Sequence, residues 1–314
     1  MRFLFVMDPM DRILPDKDTT FAFQRAAGQR NHESFHALVN EVFVREGRAF
    51  AQCRTVSVSD DAPHVTQGTT TTLALEDFDA IFIRKDPPFD AAYLYLTHIL
   101  ELVRGKTLLF NDPRGLRDAN EKLYALHFSK WTPRTLVSSS SDVLFAFLKD
   151  IGGKGVIKPL DGAGGSGVMM LAEGDQNMRA IVETLTLEGR RLAMLQEYLP
   201  AVRKGDKRVL LLDGNVLGGI NRVPRADDLR SNIHVGGSVE PTEVTAEERV
   251  LIEDIAPRLR ADGLFFVGLD LIGGKLTEVN VTSPTGIQEM SRFANRDLAV
   301  EVIAWVETKA KATR

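Results

Sequence analysis

One stretch near the C-terminus constrains the fold more than any other part of the chain. Residues 266–285 read FVGLDLIGGKLTEVNVTSPT, in which two apolar, β-branched runs flank a Gly-Gly pair. This pattern predicts a β-hairpin. Polar residues interrupt the two strands at Asp270, Glu278 and Asn280. Because successive side chains of a strand alternate between faces, Glu278 and Asn280 point the same way.

The face on which Asp270 lies depends on the length of the turn. A three-residue loop over 272–274 pairs residue 271 with 275 and residue 268 with 278, which puts all three polar side chains on one face. A two-residue Gly-Gly loop sends Asp270 to the other face. In the first case, two carboxylates and an amide oxygen converge in a way that suits a hard cation such as Mg²⁺. In the second, the hairpin is a solvent-facing polar strand pair.

Composition limits the class of protein. At 314 residues the chain can form two domains, or one large domain with a subdomain. Its net charge of −4 argues against a nucleic-acid or anionic-membrane partner. Cys53 is the only cysteine, which excludes an intrachain disulfide and fits a reducing cytosol. Apolar runs are too short for a membrane span, and the first residues turn polar too early for a signal peptide, so we expect a cytoplasmic protein.

The first third of the chain alternates predicted strands with predicted helices. Strands are expected at 2–7, 80–83 and 107–110, helices at 19–28 and 91–104, a hairpin at 42–51 and a polar loop at 59–72. This alternation predicts an open parallel sheet, whose ligands gather at the carboxyl ends of the strands. Asp8 and residues 84–90 follow two such ends.

A glycine-rich turn marks the next unit. A predicted strand bearing Lys158 runs into DGAGGSG at 161–167 and out through an apolar strand at 168–171. Four glycines in six positions let main-chain N–H groups surround an anion, as in phosphate-binding loops. The turn is not a Walker loop, since no Gly-Lys-Ser/Thr follows, and no helix opens as in a dinucleotide fingerprint. A plain hairpin is the alternative, and Lys158 favours the phosphate-binding interpretation.

Further elements follow along the chain. We expect a helix at 117–128 containing Lys122, a strand at 193–200 whose main chain can pair with an adenine edge, and a polar mobile loop at 224–237. Thr245 and Glu248 form a capping box that opens a helix to about residue 262. A last amphipathic helix is expected at 296–308.

Taken in order, these segments resemble ATP-grasp ligases and, more narrowly, the prokaryotic glutathione synthetases. The matching segments are 7–9 (MDP), 84–90 (RKDPPFD), 116–122 (LRDANEK), 158–162 (KPLDG), 205–209 (GDKRV), 266–270 (FVGLD) and 280–285 (NVTSPT). The resemblance runs from the first strand to the last helix, and residues 84–90 are its most specific part.

The resemblance implies an α/β fold in three parts. An N-terminal open parallel-sheet domain over residues 1–121 is followed by a two-part ATP-grasp fold built from α+β domains. The central ATP-grasp domain, residues 122–200, carries the glycine-rich loop. The C-terminal domain, residues 201–314, carries the metal-binding hairpin and the loop at 224–237, and ATP lies between the two.

The resemblance also implies a reaction, the ATP-dependent joining of γ-glutamylcysteine and glycine through an acyl phosphate, with release of ADP and phosphate. Another carboxylate–amine ligase with a different acceptor, or a non-catalytic ATP-binding regulatory protein, are the alternatives. An acyl phosphate hydrolyses readily, so residues 224–237 are expected to close over it as a lid. Residues 225–228 and 286–288 depart from the family pattern near the acceptor. Gly286, which has no side chain, predicts room for alanine or serine in place of glycine. We expect a homo-oligomer.

The resemblance assigns roles residue by residue. Residues expected to bind ATP are Lys122, Lys158, Gly162, Gly164, Gly165, Ser166, Gly167, Gln196, Glu197, Tyr198, Leu199, Asp206 and Arg208. Residues expected to bind the peptide and amine substrates are Asp8, Arg84, Lys85, Asp86, Arg222, Arg230, Asn232, Gly236, Gly237, Ser283 and Thr285. The catalytic residues are expected to be Arg208, Arg222 and Lys158. Asp270, Glu278 and Asn280 are expected to hold two Mg²⁺ ions, with Mn²⁺ as an alternative.

Overall fold

The computed structural model of the protein describes residues 1–225 and 238–313, which form three sheets with flanking helices. The first sheet contains β1 (Arg2–Met7), β2 (Glu33–Ala37), β3 (Val42–Arg45), β4 (Arg48–Val58), β5 (Val65–Ala74), β6 (Ala80–Arg84) and β7 (Leu108–Phe110). The helices of this part are α1 (Thr19–Gln29), α2 (Ala91–Glu101) and α3 (Pro113–Asp118). The strand order is β3-β4-β2-β1-β6-β7, with β5 paired to β4.

The predicted parallel arrangement is confirmed for β1, β2, β6 and β7. Strands β3, β4 and β5 add an antiparallel edge, so the sheet is mixed. The predicted polar loop at 59–72 is wrong from residue 65 onward, because β5 pairs with β4 there. Its threonines are β-branched and favour a strand, and nearly all of the strand is exposed, which explains why it looks like a loop in sequence.

The predicted helix at 117–128 is also wrong. Helix α3 ends at Asp118, Lys122 lies in a turn, and a short 3₁₀ helix follows at Tyr124–Phe128. The side chain of Asn120 accepts hydrogen bonds from the main-chain N–H groups of Lys122 and Leu123. These bonds replace helical ones, as asparagine side chains commonly do where a helix is interrupted.

The central sheet is antiparallel and has its own core. Its elements are β8 (Thr135–Ser138), α4 (Ser141–Asp150), β9 (Lys154–Pro159), β10 (Met169–Ala172), α5 (Met178–Thr186) and β11 (Ala193–Glu197), with strand order β10-β9-β11-β8. The predicted sequence of strand, glycine-rich turn and strand is confirmed by β9 and β10. Ile157 and Leu195 pack under α4 and α5. Alternation along the strands therefore turns Lys158 and Gln196 to the opposite, uncovered face.

The third sheet carries the C-terminal elements. These are β12 (Asp206–Leu212), β13 (Asn215–Val223), β14 (Ser238–Pro241), α6 (Ala246–Ala261), β15 (Phe266–Ile272), β16 (Lys275–Asn280), α7 (Ile287–Ala294) and α8 (Leu298–Thr313). The order is β14-β13-β12-β15-β16, antiparallel throughout. The capping box that opens α6 is confirmed, since Thr245 and Glu248 exchange hydrogen bonds between side chain and main chain.

The hairpin formed by β15 and β16 corrects both sequence alternatives. Its loop is the two-residue Gly-Gly turn, because Ile272 pairs with Lys275, so the register predicted for a three-residue loop is wrong. Asp270 nevertheless pairs directly with Glu278, since Thr277 is an extra residue that forms a β-bulge. With a two-residue turn and no bulge, Asp270 would lie on the face opposite Glu278. The extra residue shifts the alternation by one position, so Asp270, Glu278 and Asn280 share one face.

Apolar contacts join the first and third sheets. One buried cluster contains Leu4 and Ile83 of the first sheet together with Val209 and Val267 of the third. A second cluster includes aromatic residues of β1 and β6 and residues of β12, β15 and α8. The N-terminal and C-terminal parts thus pack as one body, to which the central unit is attached. The domain limits 1–121, 122–200 and 201–314 stay predictions.

Asn111, which follows β7, fastens the hairpin to the first sheet. Its side-chain N–H groups donate to the main-chain oxygens of Phe266 and Val281, both at 2.9 Å. Its side-chain oxygen accepts from the N–H of Phe266 at 2.7 Å. Phe266 begins β15 and Val281 follows β16, so one buried amide holds both strands of the hairpin. In the described ranges, no helix is long and apolar enough to cross a bilayer.

Replacing Asn111 by alanine should destabilise the fold, because three buried main-chain groups lose their partners. We expect the free energy of unfolding, measured by urea denaturation, to fall by about 3 kcal/mol. Asn215→Ala is the control, since among the described residues the amide of Asn215 donates only to the oxygen of Asp213, in an exposed turn. Equal effects of the two substitutions would contradict the role given to Asn111.

Candidate functional site

A cleft separates the uncovered face of the central sheet from the third sheet. It contains about 910 Å³ of atom-free space, including the open solvent at its mouth. Its apolar walls come from both sheets and the segments that follow them, with Val156, Val168, Met170, Leu199 and Ile272. Its charged end is formed by Lys158, Asp206, Asp270 and Glu278. The cleft therefore offers an apolar slot next to a charged region.

Eight ionisable side chains meet at the charged end, and we call them the charge cluster. The cluster consists of Glu121, Lys122, Lys158, Asp206, Arg208, Arg222, Asp270 and Glu278. Four are basic and four acidic, so the cluster is formally neutral when all are ionised. Such balance is needed because an unpaired buried charge is strongly unfavourable.

Asp270 is at the centre of the cluster and is buried. Arg208 forms a two-point ion pair with it, with Nε at 2.5 Å from Oδ1 and Nη2 at 2.9 Å from Oδ2. Arg222 reaches Oδ1 at 3.0 Å and also pairs with Asp206 at 2.6 Å. Burial alone would raise the pKa of Asp270, but the two guanidinium groups outweigh it and hold the pKa well below its usual range. The carboxylate is therefore ionised.

Glu278 is held by two lysines rather than arginines. Lys158 Nζ lies 3.3 Å and Lys122 Nζ 3.8 Å from its Oε1. Burial opposes ionisation of Glu278, yet the two ammonium groups lower its pKa overall. Lys122 also donates to the main-chain oxygen of Gly162 at 2.6 Å, which ties the glycine-rich turn to the cluster. In the neighbouring Glu121, burial and the charge of Glu278 raise the pKa.

The expected metal ligands are brought together on one face. Asn280 donates from Nδ2 to Asp270 Oδ2 at 3.2 Å and to the oxygen of Gly268 at 3.3 Å, which leaves its side-chain oxygen as an acceptor. Within the described part of the chain, no three His, Cys, Asp or Glu side chains converge as a metal site. The expected donor set contains only two carboxylates, from Asp270 and Glu278, together with the amide oxygen of Asn280. All three are hard oxygen ligands.

The glycine-rich turn has the conformation that its sequence predicts. Gly164, Gly165 and Gly167 have φ of +62°, +82° and +72°, a region that other residues adopt at a cost. A Cβ atom on Gly162 would lie 2.7 Å from the oxygen of Ser166. Glycine is therefore required by the main chain at these positions, and Gly165 lines the cleft.

The predicted substrate residues of the N-terminal part lie elsewhere. Lys85 pairs with Asp8 at 3.1 Å, and the N–H of Asp86 donates to Asp8 at 3.0 Å. Asp8 and Lys85 line a separate depression at the carboxyl end of β1 and β6. Arg84 is buried and donates to Thr20 Oγ1 and to the oxygen of Pro284, so it ties the first sheet to the segment after β16. The structure does not bring these residues into the cleft.

The remaining substrate predictions divide into two groups. Thr285 lies beside the charge cluster, since its main-chain oxygen is 3.5 Å from Arg208 Nη1, and Ser283 is two residues away in sequence. Four predicted residues lie outside the described part of the chain: Arg230, Asn232, Gly236 and Gly237.

The sequence departures at 286–288 have structural causes. Gly286 has φ of +113°, and a Cβ atom there would lie 3.1 Å from Ile220 Cδ1. Glycine therefore serves the main-chain conformation before α7, and the room expected for a larger amine stays a prediction. Gln288 donates to the oxygens of Pro15 and Asp18, so it joins α7 to the N-terminal part.

Sequence reasoning missed two groups of site residues. Glu121 was overlooked although it adjoins Lys122, and its ion pair with Lys122 Nζ makes it part of the cluster. Apart from Leu199, the apolar walls were also missed. Alternation along β9 could have revealed Val156, which lies two residues before Lys158 on the same face. Met170 and Ile272 gave no such signal, because their position depends on how the two sheets face each other.

Comparison with known proteins agrees with this geometry. The family profile of the prokaryotic glutathione synthetase N-terminal domain matches residues 1–117, and that of the prokaryotic glutathione synthetase ATP-grasp domain matches residues 121–295. Glutathione synthetase from Synechocystis sp. is 42% identical over 98% of this chain and 99% of its own length. Glutathione synthetase from Gloeobacter violaceus is 44% identical over 98% of this chain and 96% of its own length.

Solved structures resemble the fold at lower sequence identity. The crystal structure of D-cycloserine synthetase superposes with a TM-score of 0.67 and 16% identity, covering 99% of this chain and 100% of that one. D-alanine–D-alanine ligase from Bacillus anthracis, complexed with ATP, gives 0.61 and 13% over the whole of both chains. These likenesses establish the ATP-grasp fold. Together with the profiles and the relatives, they lead to one conclusion: the chain belongs to the prokaryotic glutathione synthetase family.

Proposed function

We propose that this protein is an ATP-dependent ligase that joins γ-glutamylcysteine and glycine to make glutathione, releasing ADP and phosphate. The observation that carries the proposal is the charge cluster at the inner end of an apolar cleft between two antiparallel sheets. Such a site suits a ligand with a flat apolar end and a polyanionic end. A nucleoside triphosphate has that form.

The residues of the cleft fit ATP. Val156, Met170 and Ile272 provide opposed apolar surfaces for a purine, with Gln196 and the segment 197–199 along its edge. Lys122 and Lys158 supply ammonium groups, and the glycine-rich turn supplies main-chain N–H groups, at the phosphate end. We assign Arg208 and Asp206 to the same end.

The residues also fit a divalent metal, whose use with ATP is a property of this family. Asp270, Glu278 and Asn280 offer hard oxygen donors, and both carboxyl groups have lowered pKa values. When bound, the metal would neutralise charge that develops on the phosphate oxygens. Since the cluster is already neutral, ATP would add four negative charges. Two Mg²⁺ or Mn²⁺ ions would restore the balance, and we therefore propose two.

This chemistry needs no protein nucleophile. Transfer of the terminal phosphoryl group to the cysteinyl carboxylate gives an acyl phosphate, which the amine of glycine attacks. We assign Arg208, Arg222 and Lys158 to hold the reacting oxygens and balance their charge, which is usually the largest single contribution to such a transfer. Arg222 is fixed by Asp206 and Asp270, so its position is determined before substrates bind.

The remaining assignments rest on position. We place the acceptor near Arg222, Ser283 and Thr285, next to the charge cluster. A reducing, ATP-rich compartment suits a thiol substrate, so the cytoplasm is the expected location. The expected homo-oligomer and the lid stay predictions.

Release of ADP tests the function directly. We expect ADP only when γ-glutamylcysteine is present, and glutathione only when glycine is added as well. Alanine should be a poorer amine, although a single methylene is worth only about 1–3 kcal/mol in discrimination. If γ-glutamylcysteine elicits no ADP and another dipeptide or amino acid does, the acceptor is different and the protein is another carboxylate–amine ligase.

Asp270→Asn and Glu278→Gln should each abolish metal-dependent turnover in the folded protein. Asp270→Asn should also lower stability, because it leaves the buried guanidinium groups of Arg208 and Arg222 without their carboxylate. Each removes a carboxylate donor that lies beside the phosphate end of the cleft. We expect the rate of ADP release to fall by about 10²-fold or more. Glu253→Gln, at an exposed position of α6, is the control and should leave the rate unchanged. Normal activity of either cluster variant would place the metal elsewhere.

Lys158→Met should weaken ATP binding and turnover together. An ammonium group on a rigid strand contacts phosphate in both the ground state and the transition state, so binding and rate are both affected. We expect the Kd for ATP, measured by calorimetry, to rise by about tenfold or more. Lys149→Met is the matched control, because Lys149 is exposed and lies on α4, which covers the opposite face of the central sheet from the cleft. Unchanged ATP affinity of the Lys158 variant would contradict the phosphate-binding role and favour the alternative that the glycine-rich turn is a plain hairpin.

A further inference from the structure

A chain of side-chain hydrogen bonds crosses from β8 to the wall of the cleft. Thr135 pairs with Gln196 across the antiparallel strands β8 and β11. The hydroxyl of Thr135 donates to the main-chain oxygen of Pro133 at 2.8 Å. Gln196 Nε2 lies 3.0 Å from the same hydroxyl. Three groups are thus linked in series.

The chemistry of these groups determines which one donates and which one accepts in each hydrogen bond. The oxygen of Pro133 can only accept, so it takes the single hydrogen of the Thr135 hydroxyl. The hydroxyl then has only lone pairs to offer to Gln196. Gln196 must therefore present its N–H group to Thr135, and the amide cannot be turned over without losing this bond.

The other end of the amide faces the nucleotide cleft. Gln196 lies on the uncovered face of the central sheet, is about 5% exposed and lines the cleft. Among the described residues, its side-chain oxygen accepts no hydrogen bond, and it is not sealed in the interior. The hydrogen bonds from Gln196 through Thr135 to Pro133 thus leave the side-chain oxygen of Gln196 as a fixed acceptor at the wall of the cleft.

We propose that Thr135 is a positioning residue that selects the base of the nucleotide by fixing the orientation of Gln196. A fixed acceptor favours a base with an amino group at the corresponding edge, as adenine has at position 6. A base with a carbonyl oxygen at that position places two acceptors against each other, and a buried acceptor without a donor is unfavourable. The inference rests on the proposed use of ATP and adds the origin of its base specificity.

Binding of ATP and inosine triphosphate to the full-length protein, measured by calorimetry with Mg²⁺, tests the inference. The base of inosine triphosphate carries a carbonyl group where adenine carries the amino group. We expect the wild-type protein to bind ATP about tenfold or more tightly than inosine triphosphate, since a site built for a donor rejects an analogue that lacks it. Thr135→Val removes the acceptor for Gln196 and should reduce this ratio to about threefold or less.

Control variants separate positioning from general stability. Thr135→Ser keeps the hydroxyl and should keep the ratio. Thr132→Val removes a buried hydroxyl that donates only to the oxygen of Ser129, and it should also keep the ratio. Gln196→Met should lower the ratio as Thr135→Val does, and the double variant should show no further loss, because Thr135 acts through Gln196.

The outcomes are distinguishable from failure of the proposed function. If Thr135→Val weakens both nucleotides by the same factor, or if the wild-type protein binds both equally, the inference is wrong while ATP-dependent ligation stands. If the effects of Thr135→Val and Gln196→Met add, the two residues act separately and the inference is again wrong. If the wild-type protein binds neither nucleotide, the ligase proposal is overturned and this inference with it.

Discussion

The ion pairs of Asp270 with Arg208 and Arg222 are the interaction on which the site depends. A buried carboxylate is tolerated only when cations and hydrogen bonds compensate its loss of water. Here two guanidinium groups from β12 and β13 meet a carboxylate from β15, so three neighbouring strands are fixed by one charge. The same contacts keep Asp270 ionised, which is the state that its proposed role as a metal ligand requires. Structural and functional demands therefore coincide at this residue.

Neutrality of the charge cluster explains how so many ionisable groups can lie together. Lys122 lies in the turn after α3, and Lys158 lies on the central sheet. Glu278, with which both pair, lies on the third sheet. The cations on one side of the cleft thus pair with a carboxylate on the other. When a polyanionic ligand binds, these cations would pair with its phosphate groups. The carboxylates would then pair with metal ions. Such an exchange of partners keeps every buried charge compensated.

Contacts from outside the ATP-grasp part help to hold the hairpin in place. Asn111 binds the first residue of β15 and the residue after β16, and the aromatic core of the first sheet packs against Phe266. Residues expected to bind substrate in this region, Arg84 in particular, act in the structure as ties between the N-terminal and C-terminal parts. The N-terminal part accordingly supports the hairpin face that carries Asp270, Glu278 and Asn280.

The sequence by itself determined the parallel strands of the N-terminal part, the glycine-rich turn between two strands, the capping box of α6 and the polar residues of the hairpin. These follow from local rules, namely strand alternation, capping chemistry and the conformational freedom of glycine. Family resemblance added the predicted three-part organisation and the cluster residues Lys122, Asp206, Arg208 and Arg222. Each of these signals lies within a few neighbouring residues, which is why it can be recognised without a structure.

Only the tertiary structure decided which side chains meet. The β-bulge at Thr277 set the face of Asp270, and the direction of the bonds from Pro133 through Thr135 set the orientation of Gln196. Asp8 and Lys85 line a depression separate from the cleft between the central and third sheets, and their role in binding substrate stays a prediction. Such outcomes depend on strand register and on how sheets face one another. Both are fixed by contacts between residues far apart in sequence, so local patterns do not contain them.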